Sequence, residues 1–90
     1  MFYVYVIQSE KDADRFYIGY SADLRQRLKQ HNENSNRSTR GGKWRLVYYE
    51  AYLTRGAAIQ RERVLKGDGR TRRHLMERIR QMLKDAQGAI

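Results

Sequence analysis

The first segment of the chain constrains the fold more than any other. Every residue from Phe2 to Ile7 is aromatic or β-branched, and residues of both kinds are enriched in β-strands. Because successive side chains of a strand point to opposite faces of its sheet, both faces of this strand are apolar or aromatic. We therefore expect a buried strand at residues 2–8, with helices that cover both faces of the sheet.

A second strand and a first helix follow. A polar connection separates the first strand from the strand pattern at residues 16–20, and two such runs joined by a short polar loop are typical of an antiparallel hairpin. Ser21 is a favourable N-cap residue, with Asp23 in the following turn. The pattern predicts a helix from Ser21 to about Asn32.

The rest of the chain predicts one more strand and two more helices. Residues 44–53 contain Val47 and three tyrosines, which favour a strand. Thr54 is positioned to cap a helix that ends at Gly67, a typical C′ glycine. A third helix is expected to open at Asp68 or Thr71. The order β-β-α-β-α-α predicts an α+β fold, with a small three-stranded antiparallel sheet flanked by helices.

Length and composition limit the class of protein. A chain of 90 residues is at most one domain, and we expect it to span residues 1–86, with a frayed tail at 87–90. The lack of cysteine excludes a disulfide framework, a thiolate zinc site and a cysteine nucleophile. No apolar run reaches the ~18 residues of a membrane span, and the start does not resemble a signal peptide. We expect a cytoplasmic protein that does not bind membranes.

The charge of the chain indicates an anionic partner. It contains 19 Lys and Arg residues against 10 Asp and Glu residues, a net charge of +9. A small basic domain attracts polyanions because each neutralised phosphate releases counterions; the alternative is that the charge serves only solubility. The basic residues expected to contact nucleic acid are Arg25, Lys29, Arg37, Arg40, Lys43, Lys66, Arg70, Arg72 and Arg73.

Tyrosines are the most conspicuous candidates for chemistry, although tyrosine is also a common strand residue. Alternation places Tyr17 on the face opposite Phe16 and Ile18 and on the same sheet face as Tyr5. Gly19 leaves room for a close approach to the backbone. Arg27 and His31 are four residues apart on the first helix and therefore share a face. No P-loop, zinc spacing or dinucleotide fingerprint is present.

These residues together resemble the GIY-YIG nuclease superfamily, above all its short, stand-alone bacterial members. The resemblance runs from Met1 to about Leu83. It rests on Tyr3-Val4-Tyr5, Tyr17-Ile18-Gly19, Arg27, His31-Asn32, the strand that begins at Lys43-Trp44, and Glu62 within residues 58–66. The first motif departs from the family pattern because it reads Tyr-Val-Tyr. A second departure is Gly67-Asp68-Gly69, where similar short proteins often have an aromatic residue.

The resemblance implies an endonuclease that hydrolyses DNA phosphodiester bonds with one Mg²⁺ or Mn²⁺ ion, in DNA repair or recombination. It implies that Glu62 ligates the metal and that Arg27 contacts the phosphate. It further implies that Tyr17 acts as general base or orients the attacking water, with Tyr5 as its hydrogen-bonding neighbour. His31 is implied to relay a proton or hold phosphate.

Each assignment has a structural alternative. His31 would otherwise be an exposed helix residue, and Glu62 would only form an i,i+4 ion pair with Lys66. Asn32 is either a helix C-cap or a ligand. Trp44 is expected to anchor the core, with base stacking as the alternative. For Arg70, Arg72 and Arg73 the alternative is a solvated helix end.

The function also has an alternative, a catalytically weak or inactive nucleic-acid-binding module that acts with a partner protein. Because fold alone does not decide function, the retained tyrosines, arginine and glutamate are what favour the enzyme. The expected partner is DNA, branched or single-stranded. Substrate choice would come from the basic loop at residues 33–43, the arginines of the third helix, DNA shape or a protein that supplies specificity.

Overall fold

The computed structural model describes residues 1–33 and 42–88. The predicted order of elements is confirmed: β1 (Phe2–Ser9), β2 (Phe16–Ser21), α1 (Leu24–Asn32), β3 (Trp44–Tyr52), α2 (Arg55–Gly67) and α3 (Gly69–Gly88). The expected α+β class follows from this order. Among the helices of these two ranges, none is both long enough and apolar enough to cross a membrane.

The three strands form one antiparallel sheet in the order β2-β1-β3. The first strand is thus the central one, and Val4, Val6 and Ile7 are fully buried, as its composition predicts. Val6 pairs with Tyr48 and Ile7 pairs with Leu46. Val47 is therefore an extra residue in β3 and forms a β-bulge.

Helices cover both faces of the sheet, as expected. On one face, alternate residues of β1 and β2 pack against buried side chains of α2 and α3; this cluster contains Val4, Val6, Ile18, Ala58, Leu65, Leu75, Met76 and Ile79. On the other face the buried residues are Tyr5, Ile7 and Trp44, with Tyr17 and two leucines of α1 packed on them. The tyrosines singled out above belong to this second face, which we call the α1 face.

The start of α1 differs from the prediction. Ser21 is not the N-cap: it is the buried last residue of β2 and pairs with Tyr3. Asp23 caps the helix, because its Oδ1 accepts a hydrogen bond of 3.0 Å from the backbone N–H of Gln26. The Ser21 hydroxyl instead donates to the carbonyl of Asp23 at 2.9 Å. Strand pairing keeps Ser21 in the sheet, so the helix begins later.

The ends of α2 are fixed by side chains. Thr54 caps its start as predicted, and its Oγ1 accepts a hydrogen bond of 3.2 Å from Ala57 N–H. Gly67 is not at C′ but is the last residue of α2, and Asp68 is the C-cap. The Asp68 carboxylate accepts a hydrogen bond of 3.0 Å from Arg70 N–H, so Asp68 opens the third helix.

The third helix runs to Gly88, so it includes Gln87 and Gly88 of the expected tail. Residues 89–90 of that tail lie outside the described ranges. The domain limit at residue 86 and the fraying of the tail stay predictions.

A carboxylate network ties β3 to α2 on the face opposite α1. Glu50 accepts two hydrogen bonds from the Arg61 guanidinium, at 2.9 and 3.0 Å, and one from each hydroxyl of Tyr48 and Tyr52. Burial alone would raise the pKa of Glu50, but the hydrogen bonds from Arg61, Tyr48 and Tyr52 more than offset it, and the pKa is lowered. Glu50 is therefore ionised and fully engaged in the fold.

Candidate active site

The α1 face brings two of the implied catalytic residues together. In the hairpin, Tyr5 pairs with Gly19 and Ile7 pairs with Tyr17. Because paired residues project to the same side of a sheet, Tyr5 and Tyr17 share one face, as the alternation predicts. The helix α1 covers this face and adds His31 and Arg27 to it.

His31 lies between the two tyrosines and is fully buried. Its Nε2 and the Tyr5 hydroxyl share a hydrogen bond of 2.7 Å, and the Tyr17 ring stands edge-on to the imidazole with centroids 5.1 Å apart. The alternative of an exposed histidine is therefore wrong. Leu24, Leu28 and His31 follow the i, i+4, i+7 spacing of a packed helix face. This spacing could have predicted that His31 is buried.

Gly19 makes this arrangement sterically possible. A Cβ added at residue 19 would lie 2.4 Å from the Tyr5 hydroxyl oxygen and 2.6 Å from its Cζ. The close approach predicted at this glycine is thus made by the Tyr5 phenol. It is the lack of a side chain at Gly19 that lets Tyr5 lie beside β2 and reach His31.

Burial sets the protonation of the hydrogen-bonded pair. It raises the pKa of Tyr5; the charges of Tyr17 and Glu62 raise it further, whereas Arg27 lowers it. Burial also lowers the pKa of His31, and the neighbouring Arg27 lowers it too. Near neutral pH, Tyr5 therefore keeps its proton and His31 is neutral. The effects of Arg27 and Glu62 on Tyr5 mean that both charges lie near the buried pair.

Glu62 reaches the site from α2, beside the edge strand β2. Its carboxylate is 3.4 Å from the Lys66 ammonium, with side chains that are 23% and 47% exposed respectively. The Lys66 ammonium also lies 5.2 Å from the centre of the Tyr17 ring. The i,i+4 ion pair is thus present, but a pair this accessible contributes little to stability. The Glu62 side chain keeps part of its surface in solvent, and its partner Lys66 lies at the Tyr17 ring.

A metal ion at this site would depend on few protein ligands. In the part of the chain that the structure describes, no group of three or more His, Asp or Glu residues could hold a metal. Mg²⁺ is commonly bound through one or two carboxylates, with water and substrate phosphates as the other ligands. The single accessible carboxylate of Glu62 fits a site of that kind, which the substrate completes.

Three of the basic residues predicted to bind nucleic acid lie on the described surface. Arg25, Lys29 and Lys43 are exposed, and the Lys29 ammonium is 3.8 Å from the Glu33 carboxylate. Arg37 and Arg40 lie outside the described residues. The binding role of these five residues stays a prediction.

The arginines at the start of α3 differ in their surroundings. Arg70 and Arg73 are exposed, whereas the Arg72 guanidinium donates to the carbonyls of Leu65 and Lys66 at 3.2 and 2.9 Å. Arg72 therefore satisfies the carbonyl end of α2. Its bonds place the start of α3 next to Lys66.

Asn32 and Trp44 connect α1 to β3. The Asn32 side chain accepts a hydrogen bond of 2.6 Å from Trp44 N–H and donates one of 3.1 Å to the Trp44 carbonyl. Glu33, not Asn32, is the C-cap of α1. Trp44 is almost fully buried, so its expected role as a core anchor is confirmed.

The sequence reasoning overlooked one residue on the α1 face. Tyr49 pairs directly with Tyr5 across β1 and β3, yet its side chain is 54% exposed. Its position in the strand could have predicted this placement, because alternation puts Tyr49 and Glu50 on opposite faces of the sheet.

Comparison with known proteins identifies the family of the chain. The model of the GIY-YIG catalytic domain family matches residues 1–77. A UPF0213 protein of Haloquadratum walsbyi is 32% identical over 66 residues, which cover 71% of this chain and 72% of that protein. No solved structure matches the chain significantly.

Proposed function

Because the chain belongs to the GIY-YIG family, we propose that it is an endonuclease that hydrolyses phosphodiester bonds in DNA and acts in DNA repair or recombination. The observation that carries the proposal is the Tyr5–His31 hydrogen bond. The His31 ring of this pair packs against Tyr17, and the charges of Arg27 and Glu62 both affect the pKa of Tyr5. A cation, a carboxylate and proton-transfer groups in one site are what phosphoryl hydrolysis requires.

Tyr17 is the tyrosine we assign to the attacking water. Tyr5 is buried, its pKa is raised, and its hydroxyl is already bound to His31. Tyr17 is only half-buried, so a substrate can reach it. The Lys66 ammonium near its ring would stabilise negative charge that develops on Tyr17 during proton transfer. Tyr5 and His31 are positioning residues in this scheme. The His31 ring packs against Tyr17, and the hydrogen bond to Tyr5 holds His31 in place.

Glu62 and Arg27 are the charged residues of the proposed reaction. Glu62 would hold one divalent ion, Mg²⁺ or Mn²⁺, and a bound ion of this kind polarises phosphoryl oxygens and activates water. Arg27 is half-buried at the edge of α1. Its guanidinium would donate to phosphate oxygens and stabilise the charge that builds up on them.

The net charge of +9 supports DNA as the substrate. Arg25, Lys29 and Lys43 would contact phosphates around the site, and Lys66, Arg70 and Arg73 would contact them at the end of α2. A partner protein that directs the enzyme to its substrate, and a cytoplasmic location, also stay predictions.

The experiment compares two neighbouring tyrosines of β2. Wild type, Tyr17→Phe and Tyr20→Phe are incubated with branched, nicked and single-stranded DNA, with Mg²⁺ or with EDTA. We expect metal-dependent cleavage by wild type and by Tyr20→Phe, since Tyr20 lies on the other face. Tyr17→Phe should be slower by about 10²–10⁴-fold, the usual effect of losing a general base. Equal rates for the two variants would remove Tyr17 from the mechanism.

The Glu62–Lys66 ion pair favours a second candidate function, a nucleic-acid-binding module with little or no turnover. In that case the Glu62 carboxylate would only form the ion pair with Lys66 and would not bind a metal ion. Wild type would then bind DNA in a salt-dependent manner but would cleave none of the substrates with either metal.

A further inference from the structure

Two tyrosines form an exposed aromatic surface on the α1 face. Tyr49 is 54% exposed, and its ring packs edge-on against Tyr3, with centroids 5.8 Å apart and an angle of 72° between the planes. We call Tyr3 and Tyr49 the tyrosine platform. The edge-on contact with Tyr3 fixes the orientation of the Tyr49 ring and leaves a face of that ring open to a ligand.

The tyrosine platform leads into a basic groove along α1. A cavity of about 340 Å³ is lined by Tyr3, Tyr49 and residues 22–25. A second cavity of about 460 Å³ is lined by Asp23, Arg25, Gln26 and Lys29. The two cavities share Asp23 and Arg25, so the aromatic surface and the cations lie along one continuous path.

Exposed cations of this groove can contact an anionic ligand. Arg25 and Lys29 are exposed cations, although Lys29 has Glu33 at 3.8 Å. Among the described residues that line the two cavities, Asp23 is the one acidic residue, and its Oδ1 accepts a hydrogen bond from the backbone N–H of Gln26. An aromatic platform that continues into a cationic groove is the arrangement with which proteins bind single-stranded nucleic acid.

The platform is also next to the candidate active site. Tyr49 pairs directly with Tyr5, and neighbouring strands are separated by only about 4.8 Å. A nucleotide on the platform would therefore lie close to the phosphate that is cut.

We propose that the tyrosine platform stacks an unpaired base of the DNA strand whose phosphates follow Arg25 and Lys29. This inference rests on the proposed function and narrows its substrate. A base inside a duplex already has neighbours on both faces, so only an unpaired base can offer a face to Tyr49. The substrate class is DNA with unpaired nucleotides beside the cut, such as a flap, a loop or an open junction.

The test measures binding without cleavage. Fluorescence anisotropy in EDTA gives the affinity of the protein for a labelled single-stranded 12-mer, and for the same 12-mer with abasic residues. Both oligonucleotides carry the same phosphates, so only the bases differ. Stacking on aromatic residues is worth about 1–3 kcal/mol per base, so wild type should bind the 12-mer with bases about 5- to 150-fold more tightly. Equal affinities would overturn the proposal.

Variants then assign the preference to one residue. Tyr49→Ala should lose the preference for bases, whereas Tyr49→Phe, which keeps the ring, should retain it. Arg25→Ala is the matched control, and it should weaken binding of both oligonucleotides by the same factor, because it removes a phosphate contact. A Tyr49→Ala protein that still prefers bases would overturn the proposal. Since Tyr49 is exposed, circular dichroism should show that all three variants fold as wild type does.

This test does not depend on the nuclease reaction. A preference for bases that is lost in Tyr49→Ala supports the platform even if wild type cleaves no DNA, in which case the proposed function alone fails. Cleavage of branched DNA by a wild type that binds both oligonucleotides equally supports the nuclease and overturns the platform.

Discussion

Replacing Gly19 with alanine tests the steric basis of the site. The new Cβ would lie 2.4 Å from the Tyr5 hydroxyl oxygen, 2.6 Å from Cζ and 3.0 Å from Cε2. Tyr5 is only 2% exposed, and its partner His31 is fully buried, so the ring can shift only by disturbing its packing. We expect Gly19→Ala to push the phenol away from His31 and break their hydrogen bond.

The cost follows from three contributions. Overpacking of a core costs about 1–3 kcal/mol, and loss of one hydrogen bond costs about 0.5–1.5 kcal/mol. Alanine restricts the unfolded chain more than glycine, which returns about 0.4–1 kcal/mol. The free energy of unfolding should therefore fall by about 0.5–4 kcal/mol.

Urea denaturation can measure this change through Trp44, the single tryptophan of the chain, because it packs in the same cluster as Tyr5. Gly56→Ala is the matched control. A Cβ there has no atom within 4 Å, and alanine is the better helix former, so that variant should be as stable as wild type or more so.

A double-mutant cycle decides whether Tyr5 is the cause. In Tyr5→Leu the clashing ring atoms are absent, so adding Gly19→Ala should cost much less than it does in wild type, with a coupling of about 0.5–3 kcal/mol. A Gly19→Ala variant as stable as wild type, or a penalty that is unchanged in the Tyr5→Leu background, would refute the steric argument.

Two further predictions concern pH. The pKa of His31 is lower in the folded protein than in the unfolded chain, so wild type should lose stability as the pH falls below ~6.5. In urea denaturation, the His31→Gln variant should lose less stability than wild type between pH 7.5 and 5.5. An equal loss would contradict a neutral His31 in the folded protein. The pKa of Glu50 is also lowered, so its bonds to Arg61 stabilise the fold above pH ~4.5 and lose this effect as the pH falls through the folded pKa. Arg61→Ala should cost roughly 1–3 kcal/mol at pH 7 and flatten the acid side of the stability profile measured by thermal unfolding. A profile as steep as that of wild type would argue against the Glu50–Arg61 contact.

Local patterns were enough to predict the elements and the tyrosine face. The run from Phe2 to Ile7 indicated a buried strand because its side chains are apolar or aromatic on both sides. The period of two placed Tyr5 and Tyr17 on one face. Thr54 marked the start of α2 because the capping preference of threonine acts within one turn.

Features that depend on how elements dock could not be predicted in this way. The burial of His31 depends on how α1 is rotated over the sheet, and Arg27 on the same helix stays at the edge. The start of α1 was placed wrongly because Ser21 and Asp23 are both good caps, and the pairing of Ser21 with Tyr3 decided between them. The Glu50–Arg61 contact depends on the register of β3, which the bulge at Val47 shifts.

The most direct test of the proposed active site is single-turnover cleavage by Glu62→Gln in Mg²⁺, on whichever branched or single-stranded DNA wild type cuts. The amide keeps the size of the side chain but removes the charge proposed to hold the ion, and Glu77→Gln, an exposed position on α3, is the matched control. We predict that Glu62→Gln abolishes cleavage and leaves DNA affinity unchanged or slightly higher, because a negative charge near phosphate has been removed. Glu77→Gln should cleave like wild type. Cleavage that survives in Glu62→Gln at the wild-type rate would contradict the assignment of Glu62 and, with it, the proposed active site.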